Sequence, residues 1–157
     1  MTGFGRILRD LNEAGVRYVL IGGIALIRHG VVRATRDVAA VFDPDPQNID
    51  RIESLAEKWG ATRPDGSPLP EGSFTSDRSI HLTTPAGDVD FVSEKIAGFS
   101  FEGLMSRADV KKVDGVDAPI CSLPDLVAMK RAVGRERDLA DLADLEEVHE
   151  NLPAHDD

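Results

Sequence analysis

Cysteine is nearly missing from this 157-residue chain: Cys121 stands alone, so no disulfide can form within it. A reducing compartment is the expectation. Long apolar runs are missing too. The most apolar stretch, residues 19–27, is interrupted by Gly22 and Gly23. It falls well short of the ~18 residues that a spanning helix needs, so no membrane segment is expected. The first ten residues carry neither the apolar run nor the small-residue cleavage site of a secretory signal, and a cytoplasmic location is the expectation. No Gly-x-x-x-x-Gly-Lys-Ser/Thr segment exists, which excludes an ATPase of the P-loop type. No His/Cys group has zinc spacing, and no repeat period is visible.

What is present is a charged chain with enough apolar content for a core. Lys and Arg number 18 against 28 Asp and Glu, a net charge of −10, and 41% of residues are apolar. A chain of this size buries about two-thirds of its unfolded surface. One domain over residues 1–150, followed by an acidic tail at 151–157, is the expected organisation. The charge is uneven. Residues 136–157 hold 9 acidic residues and one Arg, whereas residues 1–42 hold 6 Arg and 3 acidic residues. The net charge therefore excludes a broad basic nucleic-acid surface but leaves a local contact at an RNA end open.

Periodicity and turn signals predict an α/β chain of the α+β kind. Helices are expected at 4–14, 24–29, 48–59 and 101–107. Another begins at the capping sequence Ser122-Leu-Pro-Asp125 and runs to about Val133, and a last one starts near Arg135. Strands are expected at 16–21, 37–42, 78–83, 88–92, 110–113 and 116–121. The segment 61–73, rich in Pro and Gly, reads as a loop. Asp114-Gly115 is a two-residue hairpin signal, and residues 84–87 join a second pair. Two hairpins among alternating helices and strands predict a mixed sheet flanked by helices.

Carboxylates on these strands carry the chemical interest. Alternate strand residues share a face, so Asp37 lies with Ala39 and Val41, and Asp88 lies with Asp90. A carboxylate on an apolar strand needs a partner. A hard divalent cation such as Mg²⁺ is one. Water at the strand end, or a salt bridge to Arg33 or Arg36, is the other. Gly22 and Gly23 end a strand and open a helix, where backbone N–H groups can approach a phosphate, although a Gly pair is also a simple tight turn.

Taken in order, these motifs resemble the nucleotidyltransferases of the DNA polymerase β superfamily, and among them the AbiEii-type toxin nucleotidyltransferases. The matching positions are Gly22, Gly23, Ala25, His29, Gly30, Arg33, Thr35 and Asp37, then Gly87 and Asp90, then Lys130, Gly134, Arg135 and Asp138. The resemblance spans about residues 11–145. It implies a nucleotidyltransferase fold and transfer of a nucleotide from a nucleoside triphosphate to a hydroxyl, with two Mg²⁺ (or Mn²⁺) ions. Asp37 carries over as a metal-binding carboxylate, and Asp90 as a third carboxylate near the attacking hydroxyl, there to hold a metal or take the proton. Gly22 and Gly23 carry over as the triphosphate cradle, and Arg33, Arg36, Lys130 and Arg135 as its counter-charges. Asp138 would orient Lys130 or an Arg.

The resemblance also implies a toxin with a cognate antitoxin, and a tRNA 3′ end as acceptor. Protein or small-molecule acceptors, and a non-catalytic antitoxin or regulatory nucleotide-binding module, are the alternatives. The family pattern has Asp-x-Asp where this chain has Asp37-Val38-Ala39. A methyl group binds no metal, so this chain is expected to be catalytically impaired. Either an active-site replacement silences the enzyme, or the site is degenerate by nature; Asp88 is a weaker substitute ligand.

Other residues read as structure. His29 is expected to pack or cap a helix end, with a substrate contact as the other reading. Cys121 is expected to be a small buried apolar residue. Trp59 is expected in the core, and Lys111-Lys112 on a solvated strand edge. Leu139, Leu142, Leu145 and Val148 form a helical stripe expected to pack inward, with an exposed far end allowed and a partner-binding face as the other reading.

Overall fold

The computed structural model describes residues 3–149; the expected acidic tail at 151–157 and the domain limit at 150 lie outside the described residues. The first helix, α1 (Gly3–Glu13), buries Ile7, Leu8 and Leu11 on one face, as i, i+4 spacing dictates. Strand β1 (Tyr18–Ile21) follows and runs directly into α2 (Gly22–Arg28), two residues earlier than the pattern suggested. Strand β2 covers Asp37–Phe42.

Helix α3 (Pro46–Trp59) also starts early. Asp45 accepts a hydrogen bond from the Gln47 N–H at 2.9 Å, and Pro46 occupies the first turn, where its missing N–H costs nothing. Strands β3 (Ile80–Thr84) and β4 (Gly87–Val92) form the first hairpin. A four-residue helix that periodicity could not reveal, α4 (Glu94–Ala97), then precedes α5 (Phe101–Arg107).

The second hairpin joins β5 (Asp109–Val113) and β6 (Val116–Ile120) across Asp114-Gly115, both at positive φ (49° and 79°). Helix α6 (Leu123–Val133) opens on Ser122, whose Oγ accepts from the Asp125 N–H at 3.2 Å, and ends at Gly134. Helix α7 (Glu136–Val148) closes the described chain.

The six strands form one mixed sheet in the order β3-β4-β2-β1-β6-β5. Pairs β4/β2 and β1/β6 are parallel; β3/β4, β2/β1 and β6/β5 are antiparallel. β1 lies at the centre, and Tyr18, Val19 and Leu20 are buried on both faces. In β2 the alternation separates two surfaces: Val38, Ala40 and Phe42 are buried, whereas Asp37 and Ala39 are half-buried. That half-open surface carries the site.

Candidate active site

The half-open face is assembled by register. Parallel pairing sets Asp37 beside Asp88 and Ala39 beside Asp90, while antiparallel pairing sets Ile21 on the other side of Ala39. Directly paired residues project to the same face of a sheet. The face opens into a cleft of about 460 Å³ lined by Gly22, Gly23, Arg33, Thr35, Asp37, Ala39, Asp90, Lys130, Arg135, Asp138 and Asp141, with apolar residues at one side. Residues from five separate segments thus meet in one concavity.

The cradle at the β1–α2 junction is tight. Gly22 has φ +65°, where a side chain is strained. A Cβ on Gly23 would lie 2.5 Å from Thr35 Oγ1. The loop before β2 is therefore seated on the start of α2 through a position where only glycine fits. This junction carries the first two residues of the resemblance.

Asp37 and Asp90 line the cleft and Asp88 does not. The Asp88 carboxylate lies 3.7 Å from His81 Nε2 on β3. Burial raises the Asp90 pKa above the ordinary carboxylate value; His81 works against this, and the Asp37 charge adds to it. Among the described residues no group of three His, Cys, Asp or Glu side chains could hold a metal. Two carboxylates suffice for one Mg²⁺ that arrives with substrate phosphates and retains water ligands. Position 39, where the resemblance expects a carboxylate, carries a methyl group that binds no metal. Asp37 and Asp90 are oxygen donors of the type that Mg²⁺ takes, and Ala39, beside Asp90 in register, supplies no third carboxylate.

Cations line the same cleft. Lys130 Nζ lies 2.9 Å from Asp141 Oδ2 and 3.3 Å from Asp138 Oδ1. Arg33 Nη1 lies 2.6 Å from Asp141 Oδ1. Arg135 Nε lies 2.8 Å from Asp138 Oδ2, and the Arg135 backbone N–H donates to the same carboxylate. Asp138 is only 1% exposed. Burial pushes its pKa up, yet the hydrogen bonds from Arg135 and Lys130 overcome this and hold it below the usual range. Arg36, grouped with these cations in the sequence, is exposed and does not line the cleft.

Asp141 is the residue that sequence reasoning missed. It bridges Arg33 and Lys130 with one oxygen each. Only its spacing from Asp138, three residues on one helix face, hinted at a shared role. The leucine stripe expected to bury α7 is correspondingly corrected. Leu145 is buried, but Leu139 and Val148 are exposed, and Asp138 and Asp141 occupy the inward face with Leu145. Charge pairing at Lys130 and Arg33 selects that face.

The remaining candidates are structural. His29 Nε2 lies 2.8 Å from the Cys121 carbonyl and His149 Nε2 lies 2.7 Å from the His29 carbonyl, tying α2 to β6 and to the end of α7. Cys121 is buried and its thiol pKa is pushed up to about 12, which leaves it unreactive. Trp59 packs against the core and donates from Nε1 to Asp10 at 2.8 Å. Lys112 pairs with Asp117 on the solvated edge.

The chain matches no protein-family model, and no curated protein matches it in sequence. Solved structures do resemble it. The lincomycin-bound lincosamide antibiotic adenylyltransferase LnuA aligns over 94% of this chain and 96% of its own, with a TM-score of 0.64 and 15% identity. The antibiotic-resistance factor ANT(2'')-Ia aligns over 92% and 81%, with a TM-score of 0.62 and 10% identity. An antigenic nucleotidyltransferase-like protein from Paracoccidioides brasiliensis aligns over 92% and 72%, with a TM-score of 0.55 and 16% identity. No helix among the described residues is long and apolar enough to cross a membrane. The mixed six-stranded sheet with its flanking helices is a nucleotidyltransferase fold.

Proposed function

We propose that this cleft binds a nucleoside triphosphate with one Mg²⁺ or Mn²⁺ and is built for nucleotidyl transfer to a hydroxyl, which Ala39 leaves slow or silent. One observation carries the reading: Asp37 and Asp90 share a single cleft with the Gly22–Gly23 junction, Lys130 and Arg33, and Ala39 lies beside Asp90 in register. A bound ion would neutralise phosphate charge between Asp37 and Asp90. Gly22 and Gly23 offer backbone N–H groups to the triphosphate, and Lys130, Arg33 and Arg135 balance its charge.

In the transfer, the acceptor oxygen bonds to the α-phosphorus. The bond from that phosphorus to the β-phosphate's bridging oxygen breaks, and pyrophosphate leaves with the electron pair. Asp90 takes the hydroxyl proton through the carboxylate oxygen that the ion does not engage.

The acceptor we propose is a tRNA 3′ end, which makes the chain the toxin-like member of a pair with a cognate antitoxin. The motif order and the mildly basic first 42 residues support this. A small hydroxylated molecule is the second reading. It is favoured by the likeness to the lincosamide antibiotic adenylyltransferase LnuA, which extends over 96% of that chain.

The test incubates the Ala39 chain and Ala39→Asp with each labelled triphosphate, Mg²⁺ and, separately, total tRNA or lincosamide and aminoglycoside acceptors. Label transferred by Ala39→Asp, and weakly or not at all by the Ala39 chain, is the expected result. Its destination decides the acceptor. Nucleotide binding by both proteins with transfer by neither leaves the non-catalytic module as the reading. Equal rates from both overturn the role given to position 39.

A further inference from the structure

The outer edge of the sheet, beyond the cleft, carries a second feature. Register lays four residues in one row across the half-open face: Ile21 on β1, Ala39 on β2, Asp90 on β4 and His81 on β3. Directly paired residues project to the same face, and neighbouring strands lie about 4.8 Å apart. Gly22 and Gly23, which follow Ile21, stand at one end of the row. β3 is an outermost strand, so His81 stands at the other end.

That order sets the side of approach. In an in-line displacement the attacking and leaving oxygens lie on opposite sides of the phosphorus. Pyrophosphate leaving toward the Gly22–Gly23 junction puts the attacking hydroxyl on the Asp90 side. The rest of the acceptor then lies over β3.

A recess of about 330 Å³ sits at that edge. Arg63, Arg78 and His81 line it together with Ser73 and Ser79, and none of its eight described lining residues is Asp or Glu. Thr62 pairs with Thr83 through two backbone hydrogen bonds of 3.0 and 2.9 Å, which hold the segment carrying Arg63 against β3. Arg78 lies three residues before His81. Both arginines are exposed, and neither is salt-bridged among the described residues. The carboxylates nearest to them in the chain, Asp65 and Asp77, accept hydrogen bonds from Ser67 and Thr75. Arg33, Lys130 and Arg135 of the cleft are, by contrast, all paired with carboxylates. In a chain of net charge −10, the recess is a local concentration of positive charge beside the reacting centre.

We infer that this recess is the acceptor's anion subsite, in which Arg63 and Arg78 hold a phosphate next to the hydroxyl that reacts. The inference rests on the transfer reading and narrows its acceptor to a phosphate-bearing one. The end of an RNA strand and a nucleoside monophosphate both offer that chemistry. Arginine suits the task because its planar fork gives a phosphate two parallel hydrogen bonds. A neutral or amine-bearing acceptor gains nothing from it.

Equilibrium binding to the full Ala39 chain tests this, with ATP and Mg²⁺ saturating the cleft. The probes are an RNA trinucleotide with a free 3′ hydroxyl, the same trinucleotide with uncharged methylphosphonate linkages, and cytidine 5′-monophosphate. Arg63→Gln with Arg78→Gln should weaken the RNA and the monophosphate about tenfold and leave ATP binding as it was. The salt dependence of RNA binding should shrink by about 0.7 in log–log slope, the share of one phosphate on a single strand. The methylphosphonate strand should bind both proteins weakly. Arg6→Gln with Arg9→Gln removes the same charge from exposed positions of α1 and should change nothing. The tighter-bound of the RNA and the monophosphate tells a strand end from a small acceptor.

RNA affinity that survives the Arg63/Arg78 variant, or falls equally in the Arg6/Arg9 variant, overturns the subsite and spares the nucleotide-binding reading. So does a methylphosphonate strand that binds as tightly as RNA. Loss of ATP binding alongside RNA binding shows that the recess is not separate from the cleft, and it also overturns the subsite. An Ala39 chain that binds no ATP takes down both readings.

Discussion

Ala39 stands directly beside Asp90 across the β2–β4 ladder, and Asp37 lies two residues away on the same face of β2. Two carboxylates therefore flank a methyl group in a half-buried position. Asp90 already has a raised pKa, from burial first and from Asp37 as well. Adding a third carboxylate by Ala39→Asp increases the repulsion without adding a cation. Melting without metal should fall by several degrees, the equivalent of about 1 kcal/mol in a domain of this size. Mg²⁺ should then raise the melting temperature of Ala39→Asp far more than that of the natural chain, because a ligand stabilises the state that binds it. Calorimetry of both proteins with and without Mg²⁺ measures this; identical responses would remove position 39 from any metal site.

Asp90 should carry a stability penalty in the ligand-free chain. Its pKa is higher folded than unfolded, so the folded state holds its proton longer. Stability therefore falls as pH rises from the unfolded value, about 3.9, through the folded value, and the penalty persists at neutral pH. Asp90→Asn should melt higher than the natural chain at pH 7 and no higher at pH 3. It should also lose the response to Mg²⁺. A lower melting temperature for Asp90→Asn at pH 7 would show that the carboxylate stabilises the fold.

Much of this was legible in the chain. The Asp114-Gly115 turn, the Ser122 cap and the apolar face of α1 each report on neighbours a few residues away, and local pattern suffices for them. The neighbour relations of the strands were not legible, because β1 pairs with β6 about a hundred residues later and nothing local records it. Asp37, Asp90, Lys130 and the glycine pair were read from ordered motifs, and the structure brings them into one cleft. Asp141 was hidden because its partner Arg33 lies 108 residues away and its helix carries a leucine repeat that mimics a buried stripe. Arg36 failed for the opposite reason: its neighbour Arg33 shares its charge and loop, but only one of the two lines the cleft.

Lys130 joins two buried carboxylates, and removing it should expose their cost. Lys130→Met leaves Asp138 with Arg135 and Asp141 with Arg33. A buried pair broken outright costs about 3–5 kcal/mol. The surviving arginines should hold the loss nearer about 2–3 kcal/mol, on that same scale. Urea denaturation at pH 7 measures it. Lys130→Arg, which keeps the charge, should recover much of the loss. A change below about 0.5 kcal/mol, the range of ordinary surface substitutions, would mean that the network adds little.

The Asp138 pKa makes part of the acid sensitivity assignable. It is lower folded than unfolded, so its contribution is fully present above the unfolded value, about 3.9, and is lost as pH falls through the folded value. Asp138→Asn should therefore lose stability at pH 6 and show a shallower decline between pH 4 and pH 2. Denaturation midpoints over that range test the sign. A decline as steep as that of the natural chain would place the acid-sensitive group elsewhere.

The cradle supplies the sharpest steric case. A methyl group on Gly23 would fall 2.5 Å from Thr35 Oγ1 and 2.8 Å from Thr35 Cβ. Neither gap can hold a carbon atom, so the loop before β2 must move or the start of α2 must. Overpacking of this kind costs about 1–3 kcal/mol. The same movement would shift Asp37, two residues beyond Thr35, relative to the Gly22–Gly23 junction proposed to hold phosphate. Gly23→Ala should therefore weaken nucleotide binding by more than its loss of stability predicts. Gly23→Ala with Thr35→Gly removes the obstructing side chain and should recover most of the affinity. If Gly23→Ala alone binds ATP as tightly as the natural chain, contact between α2 and the Thr35 loop does not position the site.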